Sequence, residues 1–172
     1  MLDTNIVSAD APTKHQVGDE TFAAWIREHS DGLYISTVTV AEIEAGIARV
    51  IRIGATAKAG RLRRWLAALE QLYGGRILPF GIEEARRAGA ILDRARAYDP
   101  GFEDIAIAAT AAAHGFTVLT ANERDFAPLG VSYANPFKQL PPVPDEAPKS
   151  LQEEPAVGFR VDEINKDKKF GD

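Results

Sequence analysis

The chain has 172 residues, 45% of them hydrophobic and 26% charged, with a formal net charge of −5, which suits one globular domain with a sizeable core and indicates no particular partner. It contains no cysteine and only three scattered histidines, which excludes disulfides, thiolate metal sites, a cysteine nucleophile and a histidine-based zinc site. It has neither an apolar run long enough to span a membrane nor a leader-like N-terminus, so we expect a cytoplasmic protein with no membrane partner.

Residues 1–140 alternate between strand-like and helix-like segments. The apolar residues 1–2 predict the end of a short strand. Runs rich in β-branched or aromatic residues predict four further strands, at 34–36, 76–80, 116–119 and 130–134. Hydrophobic periodicity and composition predict helices between them, at 17–29, 39–53, 57–73, 83–98 and 104–114. Strands that alternate with helices indicate an α/β fold with a parallel sheet.

Three of these helices have a distinct apolar pattern. We expect an inward face on the helix at 57–73, formed by Leu62, Trp65, Leu66, Leu69 and Leu72. We expect another on the helix at 83–98, formed by Ala88, Ile91, Leu92 and Ala95. The helix at 104–114 is apolar nearly all round, which is typical of a buried helix.

The composition changes near Leu140. Residues 141–172 hold five Lys or Arg and eight Asp or Glu, a net charge of −3, and five prolines that exclude a regular helix or strand over the first half of the segment. We therefore predict a folded domain over 1–140 and a mobile, proline-rich acidic tail over 141–172.

Acidic residues recur where predicted strands end or predicted helices begin. Asp3 follows the first strand, Glu42 lies in the first turns of the helix after 34–36, and Asp104 begins the buried helix. Asp125 comes shortly after the strand at 116–119, behind Thr120 and Asn122. The carboxyl ends of parallel strands share one edge of the sheet, so we expect these four acids to gather there.

Helix capping is the alternative explanation for these acids, because Asp and Glu are favoured at helix N-termini. It fits Asp104 on local sequence alone. However, no helix is predicted directly after Asp3, and Glu42 lies too far inside its helix to cap it. The pattern as a whole therefore favours a cluster over four independent caps.

Clustered carboxylates repel one another, and their pKa values rise unless a cation lies among them. Oxygen ligands without Cys or His suit Mg²⁺ or Mn²⁺. A site of this kind indicates hydrolysis of phosphodiester bonds, because such an ion lowers the pKa of the attacking water and stabilises charge on the phosphate oxygens.

Four segments carry a resemblance to a known family: "LDTNIVS", "STVTVAEIEAG", "EDIAIAATAAAHG" and "VLTANERDF". In this order they resemble the signature segments of PIN-domain ribonucleases, especially the bacterial VapC-type toxins and their FitB-like branch. The resemblance covers about 1–138. It implies a three-layer α/β/α fold around a short central parallel sheet. It also implies a Mg²⁺- or Mn²⁺-dependent endoribonuclease that is usually dimeric and is inhibited by a co-expressed VapB-type antitoxin.

The resemblance also implies roles for individual residues. Asp3, Glu42 and Asp104 match the metal-binding acids, and Asp125 matches the more variable fourth acid. Three polar residues would act around them, with Asn5 orienting Asp3 and with Thr120 and Asn122 positioning substrate or water. Glu103 is a further candidate for holding a water or a second metal ion.

A basic stretch between 49 and 64 has six Lys or Arg and no acidic residue. It is open to three interpretations: a phosphate-binding rim, a surface that contacts an antitoxin or a second copy of the chain, or a solvated helical face. His114, just before Gly115, is typical of a helix C-terminus.

Two other classes of function use the same residues. One is a metal-dependent DNA nuclease or phosphatase, although "LDTN" lacks the second Asp of the "DxD" typical of haloacid-dehalogenase-type phosphatases. The other is a non-catalytic regulator in which the acids cap helices or bind metal and the basic stretch binds a protein.

Overall fold

The computed structural model describes residues 1–12 and 20–142. Residues 143–172 of the predicted tail and residues 17–19 of the first predicted helix lie outside the described ranges. Within these ranges the chain forms seven α-helices: α1 (Thr4–Val7), α2 (Glu20–Glu28), α3 (Thr37–Arg52), α4 (Thr56–Tyr73), α5 (Ile82–Ala95), α6 (Phe102–Ala113) and α7 (Glu123–Phe126).

The strands are short and parallel. They are β1 (Ile35–Ser36), β2 (Ile77–Leu78), β3 (Val118–Leu119) and β4 (Tyr133–Ala134). β1 pairs with β2 in parallel, and β3 pairs with β4 in parallel. All four predicted strands are therefore present.

Residues 1–3 join the two strand pairs into one layer. Leu2 forms a parallel bridge with Leu119, and the backbone N–H of Asp3 donates to the Leu119 carbonyl at 3.0 Å. On the other side, the N–H of Leu2 donates to the Tyr34 carbonyl at 2.7 Å. The predicted short first strand thus lies at the centre of the layer, between β1 and β3.

Successive residues of this layer face two different hydrophobic cores, because side chains alternate along a strand. One core is built mainly with α5 and α6, and the other with α1 to α4. The core with α5 and α6 contains Met1, Tyr34 and Val118. The next residue along the chain in each case, Leu2, Ile35 or Leu119, belongs to the core with α1 to α4. Helices cover both faces of the sheet, so the predicted three-layer α/β/α architecture is confirmed.

The helix α6 is buried along most of its length. Every residue from Ile105 to Ala111 is buried, and the alanines among them allow neighbouring elements to pack closely. Thr110, the polar residue in this run, donates its hydroxyl to the Ala106 carbonyl at 2.8 Å, which satisfies a group that would otherwise be costly to bury. Packing on all sides fixes where the N-terminus of α6 lies.

Two leucines predicted to point inward are exposed. Leu72 on α4 is 65% exposed and Leu92 on α5 is 43% exposed, so these two predictions were wrong. The neighbouring residues Tyr73 and Ile91 are buried instead. Because adjacent helical positions differ by about 100°, the buried stripe on each helix is narrower than the sequence pattern indicated. Among the described residues, no helix is long and apolar enough to cross a membrane.

Candidate active site

The four predicted acids come together at the carboxyl edge of the sheet. Asp3 directly follows the bridge at Leu2, and Asp125 lies in α7, shortly after β3. Glu42 is in the second turn of α3, which begins where β1 ends, and Asp104 is the third residue of α6. The charges of Asp3, Glu42 and Asp125 each act on Asp104, which places all four acids within one electrostatic cluster.

Asp3 is buried and is held by side chains from two parts of the chain. Its Oδ2 accepts hydrogen bonds from Thr120 Oγ1 at 2.6 Å and Asn5 Nδ2 at 2.5 Å. The prediction that no helix follows Asp3 was wrong, because α1 begins at Thr4 with Asp3 at its N-cap position. The Asp3 side chain forms no well-aligned capping hydrogen bond, although the backbone N–H groups of Thr4 and Asn5 lie near enough to lower its pKa.

Glu42 is half-buried and is held by a threonine from the neighbouring segment. Thr4 Oγ1 donates to Glu42 Oε2 at 2.5 Å, and Thr39 Oγ1 lies 3.2 Å from the same hydroxyl. Capping of α3 falls to Ser36, whose side chain accepts from the N–H of Val38 at 3.1 Å. Glu42 is therefore free of any capping role.

Asp104 does not cap α6. The helix begins at Phe102, two residues before the predicted start, and Gly101 occupies the N-cap position. A Cβ on Gly101 would lie 3.5 Å from Asp104 Oδ2, so the backbone of this loop passes close to the carboxylate. The Asp104 side chain has no hydrogen bond or ion pair with the described residues, which leaves both oxygens available to a ligand.

Asp125 lies at the rim of the cluster. Its Oδ2 accepts a hydrogen bond from Asn122 Nδ2, and its Oδ1 lies 3.5 Å from Arg124 Nε. The Arg124 side chain is 93% exposed, so solvent screens this pair strongly. The backbone N–H of Asn122 in turn donates to Thr120 Oγ1 at 2.9 Å, which connects the rim to the buried Asp3.

Burial and mutual repulsion raise the pKa values of three of these acids. Burial is the largest cause of the raised pKa of Asp3, and hydrogen bonds from Thr120 and the backbone partly offset it. Burial also raises the pKa of Glu42, opposed by the hydrogen bond from Thr4 and reinforced by the charges of Asp3 and Glu103. For Asp104, burial and then the surrounding carboxylates raise the pKa to about 6.

The donor chemistry of this cluster fits a hard divalent cation. Carboxylate oxygens are the ligands that Mg²⁺ and Mn²⁺ prefer, and a bound cation would offset the repulsion that raises these pKa values. No three acidic or histidine side chains in the described ranges already stand in coordinating positions. Binding of an ion therefore requires these side chains to rearrange.

Three residues near the acids were not predicted from the sequence: Thr4, Thr39 and the cationic Arg124 at the rim. Thr4 holds Glu42 and Thr39 contacts the Thr4 hydroxyl, yet neither threonine stands out in the sequence, because threonine at a helix start usually indicates capping. Glu103 contributes to the negative potential at Glu42 and Asp104, which agrees with its being a further candidate. The direct adjacency of Arg124 to Asp125 was the available signal for the ion pair.

The remaining candidates lie away from the cluster. His114 follows the C-terminus of α6, the end opposite Asp104, with its Nε2 3.4 Å from Glu84 Oε1. The six basic side chains of the stretch 49–64 are exposed and form no ion pair within the described part of the chain. The structure leaves the three interpretations of that stretch open.

The fold and the site together define a class of protein: a three-layer α/β/α domain with acidic side chains gathered at the carboxyl edge of a parallel sheet. Within this class the chain belongs to the PIN domain family, which matches residues 1–130.

The similarity to known proteins covers most of the chain. It is 32% identical over 146 residues to VapC ribonuclease Y4jK of Sinorhizobium fredii, covering 80% of this chain and 97% of the relative. It is 32% identical over 145 residues to Toxin FitB of Neisseria gonorrhoeae, again covering 80% and 97%. The structure of FitAB bound to an IR36 DNA fragment matches with a TM-score of 0.66 at 30% identity, covering 79% of this chain and 94% of that one.

Proposed function

We propose that the chain is a divalent-metal-dependent endoribonuclease that acts as the toxin of a type II toxin–antitoxin pair. The observation that carries this proposal is the cluster of Asp3, Glu42, Asp104 and Asp125 at one edge of the sheet. Relatives that carry the names ribonuclease and toxin, each matched over four fifths of the chain, support it.

Asp3, Glu42 and Asp104 would hold Mg²⁺ or Mn²⁺, with Asp125 as a fourth acid at the rim. When bound, the ion lowers the pKa of the attacking water and stabilises charge on the phosphate oxygens. Asn5 and Thr120 orient the Asp3 carboxylate through Oδ2, and Thr4 orients Glu42 through Oε2. The Oε1 atom of Glu42 keeps no hydrogen-bond partner among the described residues and stays available to the ion.

Asn122 has a positioning role at the rim. Its side chain donates to Asp125 Oδ2 and restrains that carboxylate. Substrate RNA enters from this exposed side, since Asp3 is buried behind Thr120 and Asn5. Polar groups that are fixed before the substrate arrives lower the reorganisation needed during reaction.

Two partners complete the proposal. A co-expressed VapB-type antitoxin binds the chain and inhibits it, and the chain forms a homodimer. Because the substrate is RNA, the activity belongs in the cytoplasm. Light scattering of the purified chain, with and without the protein encoded next to it, measures both assemblies, and a strictly monomeric chain would contradict the homodimer.

Cleavage of matched RNA and DNA oligonucleotides tests the activity. With Mn²⁺ or Mg²⁺ we expect cleavage of RNA only, and with EDTA we expect none. Asp104→Asn tests the cluster itself, because Asn has almost the same shape as Asp but lacks its charge. We expect the variant to cleave RNA more slowly than the wild type by about two orders of magnitude or more. RNA cleavage that persists in EDTA, or in Asp104→Asn, would contradict metal catalysis by this cluster.

The same experiment separates the alternatives. Cleavage of DNA alone would favour a DNA nuclease, and release of phosphate from a monoester without cleavage of either polymer would favour a phosphatase. Inertness of the antitoxin-free chain toward all three substrates, together with retained binding of the antitoxin, would leave a non-catalytic regulator.

A further inference from the structure

A cleft opens directly beside the acid cluster. It has a volume of about 510 Å³ and is lined by the loop 98–101 on one side and by Arg124, Asp125 and Pro128 on the other. Clefts of this size accommodate small organic groups. One of its lining residues, Asp125, also belongs to the cluster, so the cleft and the reaction centre are continuous.

The loop 98–101 brings the cleft close to two more acids. A Cβ on Gly101 would lie 3.4 Å from Glu103 Oε2 and 3.5 Å from Asp104 Oδ2. A group bound in the cleft is therefore adjacent to a substrate phosphate bound at the acid cluster. In a nucleic acid, that group would be a neighbouring nucleotide.

Tyr98 gives this cleft an exposed aromatic wall. The residue is 69% exposed, and its backbone N–H donates to the Ala95 carbonyl at 2.8 Å. Its ring stacks on no other aromatic ring among the described residues, whereas the ring of Tyr34 stacks on Phe116. The ring of Tyr98 is therefore dispensable for packing and available to a ligand.

The backbone beside Tyr98 is held in an unusual conformation. Asp99 has a φ of +48°, in the left-handed region that non-glycine residues adopt rarely and at a cost of about 1 kcal/mol. This conformation turns the chain from the end of α5 into Pro100 and Gly101.

Arg124 supplies a cation on the opposite wall. Its side chain is 93% exposed and, among the residues that the structure describes, pairs only with Asp125, at 3.5 Å. A guanidinium binds phosphate oxygens through paired N–H donors and also stacks on planar rings. The two walls together offer a face for a base and a cation for the backbone, which is the combination that proteins use for single-stranded nucleic acid.

We propose that this cleft is a nucleotide subsite, in which Tyr98 stacks on an unpaired base next to the scissile phosphate and Arg124 binds the adjoining phosphate. The inference rests on the proposed ribonuclease function. Stacking needs a base outside a duplex, so the subsite makes the enzyme select unpaired RNA.

Cleavage of an RNA oligonucleotide with one cut site tests the aromatic wall. Tyr98→Ala should lower kcat/KM about ten-fold or more, Tyr98→Phe should rescue the loss because it keeps the ring, and Leu72→Ala is the control for truncating an exposed side chain elsewhere. With a substrate that lacks one base beside the cut, the kcat/KM of the wild type should fall by a similar factor. The same substrate should cost Tyr98→Ala almost nothing further, because the two changes remove one interaction.

Salt dependence tests the cationic wall. The slope of log(kcat/KM) against log[salt] is negative, and Arg124→Gln should make it shallower by about 0.7, the value for one phosphate contact on a single strand. An unchanged slope would overturn the role of Arg124.

The two proposals fail in different ways. A wild type that cleaves no RNA in Mn²⁺ overturns the ribonuclease function and the subsite with it. A wild type that cleaves RNA, with equal base-removal penalties in wild type and Tyr98→Ala, overturns the subsite alone. Unchanged cleavage by Tyr98→Ala combined with weakened antitoxin binding also overturns it, in favour of a protein contact.

Discussion

Thr120 is the residue on which the buried half of the site depends. Its hydroxyl donates to Asp3 Oδ2 at 2.6 Å and accepts from Asn5 Nδ2 at 3.1 Å and the Asn122 backbone N–H at 2.9 Å. A single oxygen therefore links the central strand, α1 and the segment that leads into α7. No solvent reaches it, since Thr120 is fully buried.

Replacing this hydroxyl with a methyl group tests its importance. Thr120→Val should lower the free energy of unfolding by about 1–3 kcal/mol, because it leaves buried polar groups without a partner. It should also lower kcat, since Asp3 loses a donor that orients it and that lowers its pKa. Urea unfolding and RNA cleavage measure the two effects. Thr120→Ser, which keeps the oxygen, is the control, and equal behaviour of the two variants would contradict this role.

Asp104 gives the metal-free protein a predictable dependence on pH. Its pKa is about 6 in the folded state and 3.8 in the unfolded reference, so the folded chain binds the proton more tightly. The associated stability is fully present below the unfolded pKa and is lost as the pH rises through about 6. Metal-free wild type should therefore lose stability between about pH 4 and about pH 6.5, the interval that spans the two pKa values.

The substitution Asp104→Asn isolates this contribution. The variant cannot titrate at residue 104, so its loss of stability across the same pH range should be smaller than that of the wild type. Above about pH 7 the metal-free variant should be at least as stable as the wild type, because one member of a repelling cluster is neutral. Denaturant unfolding of both proteins at the two ends of this pH range measures the difference. Identical pH profiles would show that Asp104 is not electrostatically strained.

At the scale of elements, α4 contains both a buried and an exposed leucine. Leu66 is 3% exposed and packs in the core with α3, whereas Leu72 is 65% exposed. Leu66→Ala should cost about 2–5 kcal/mol through lost burial and the cavity that remains. Leu72→Ala should stay within about 0.5 kcal/mol of the wild type. Thermal unfolding of the two variants measures the contrast, and similar losses would mean that Leu72 is covered in solution.

The same helix illustrates what the sequence could predict. The existence and order of the five long helices followed from hydrophobic periodicity and composition, although α6 is apolar nearly all round and has no single apolar face. The orientation of Leu72 did not, since both a wide and a narrow apolar stripe fit the same spacing. The helices α1 and α7 were missed because four residues are too short to show a period.

The candidate site divides along similar lines. The positions of its acids followed from strand ends, because a parallel sheet brings those ends to one edge. The hydrogen bonds from Thr4 to Glu42 and from Thr120 to Asp3 join residues 38 and 117 positions apart, and no local pattern contains that information.

At the scale of the whole molecule, the domain boundary near Leu140 stays a prediction. Leu140 is partly buried against the core formed with α1 to α4, which favours an end of the domain just after it. A chain ending at Leu140 should therefore keep its fold and its RNA cleavage. A chain ending at Leu129, which lacks β4, should unfold and is the control. Circular dichroism and cleavage assays compare them, and an inactive 1–140 fragment would place essential residues in the acidic tail.

The central position of residues 1–3 also determines how late during synthesis the acid cluster can assemble. The ribosome adds Asp3 early, but its neighbours in the sheet and site, Leu119 and Thr120, come more than 110 residues later. At about 5–20 residues per second, roughly 6–25 seconds separate these events. A chain that ends before Asp125 cannot assemble the complete acid cluster around Asp3. For the toxin proposed above, this interval leaves time for a co-expressed inhibitor to be made before the acid cluster is complete.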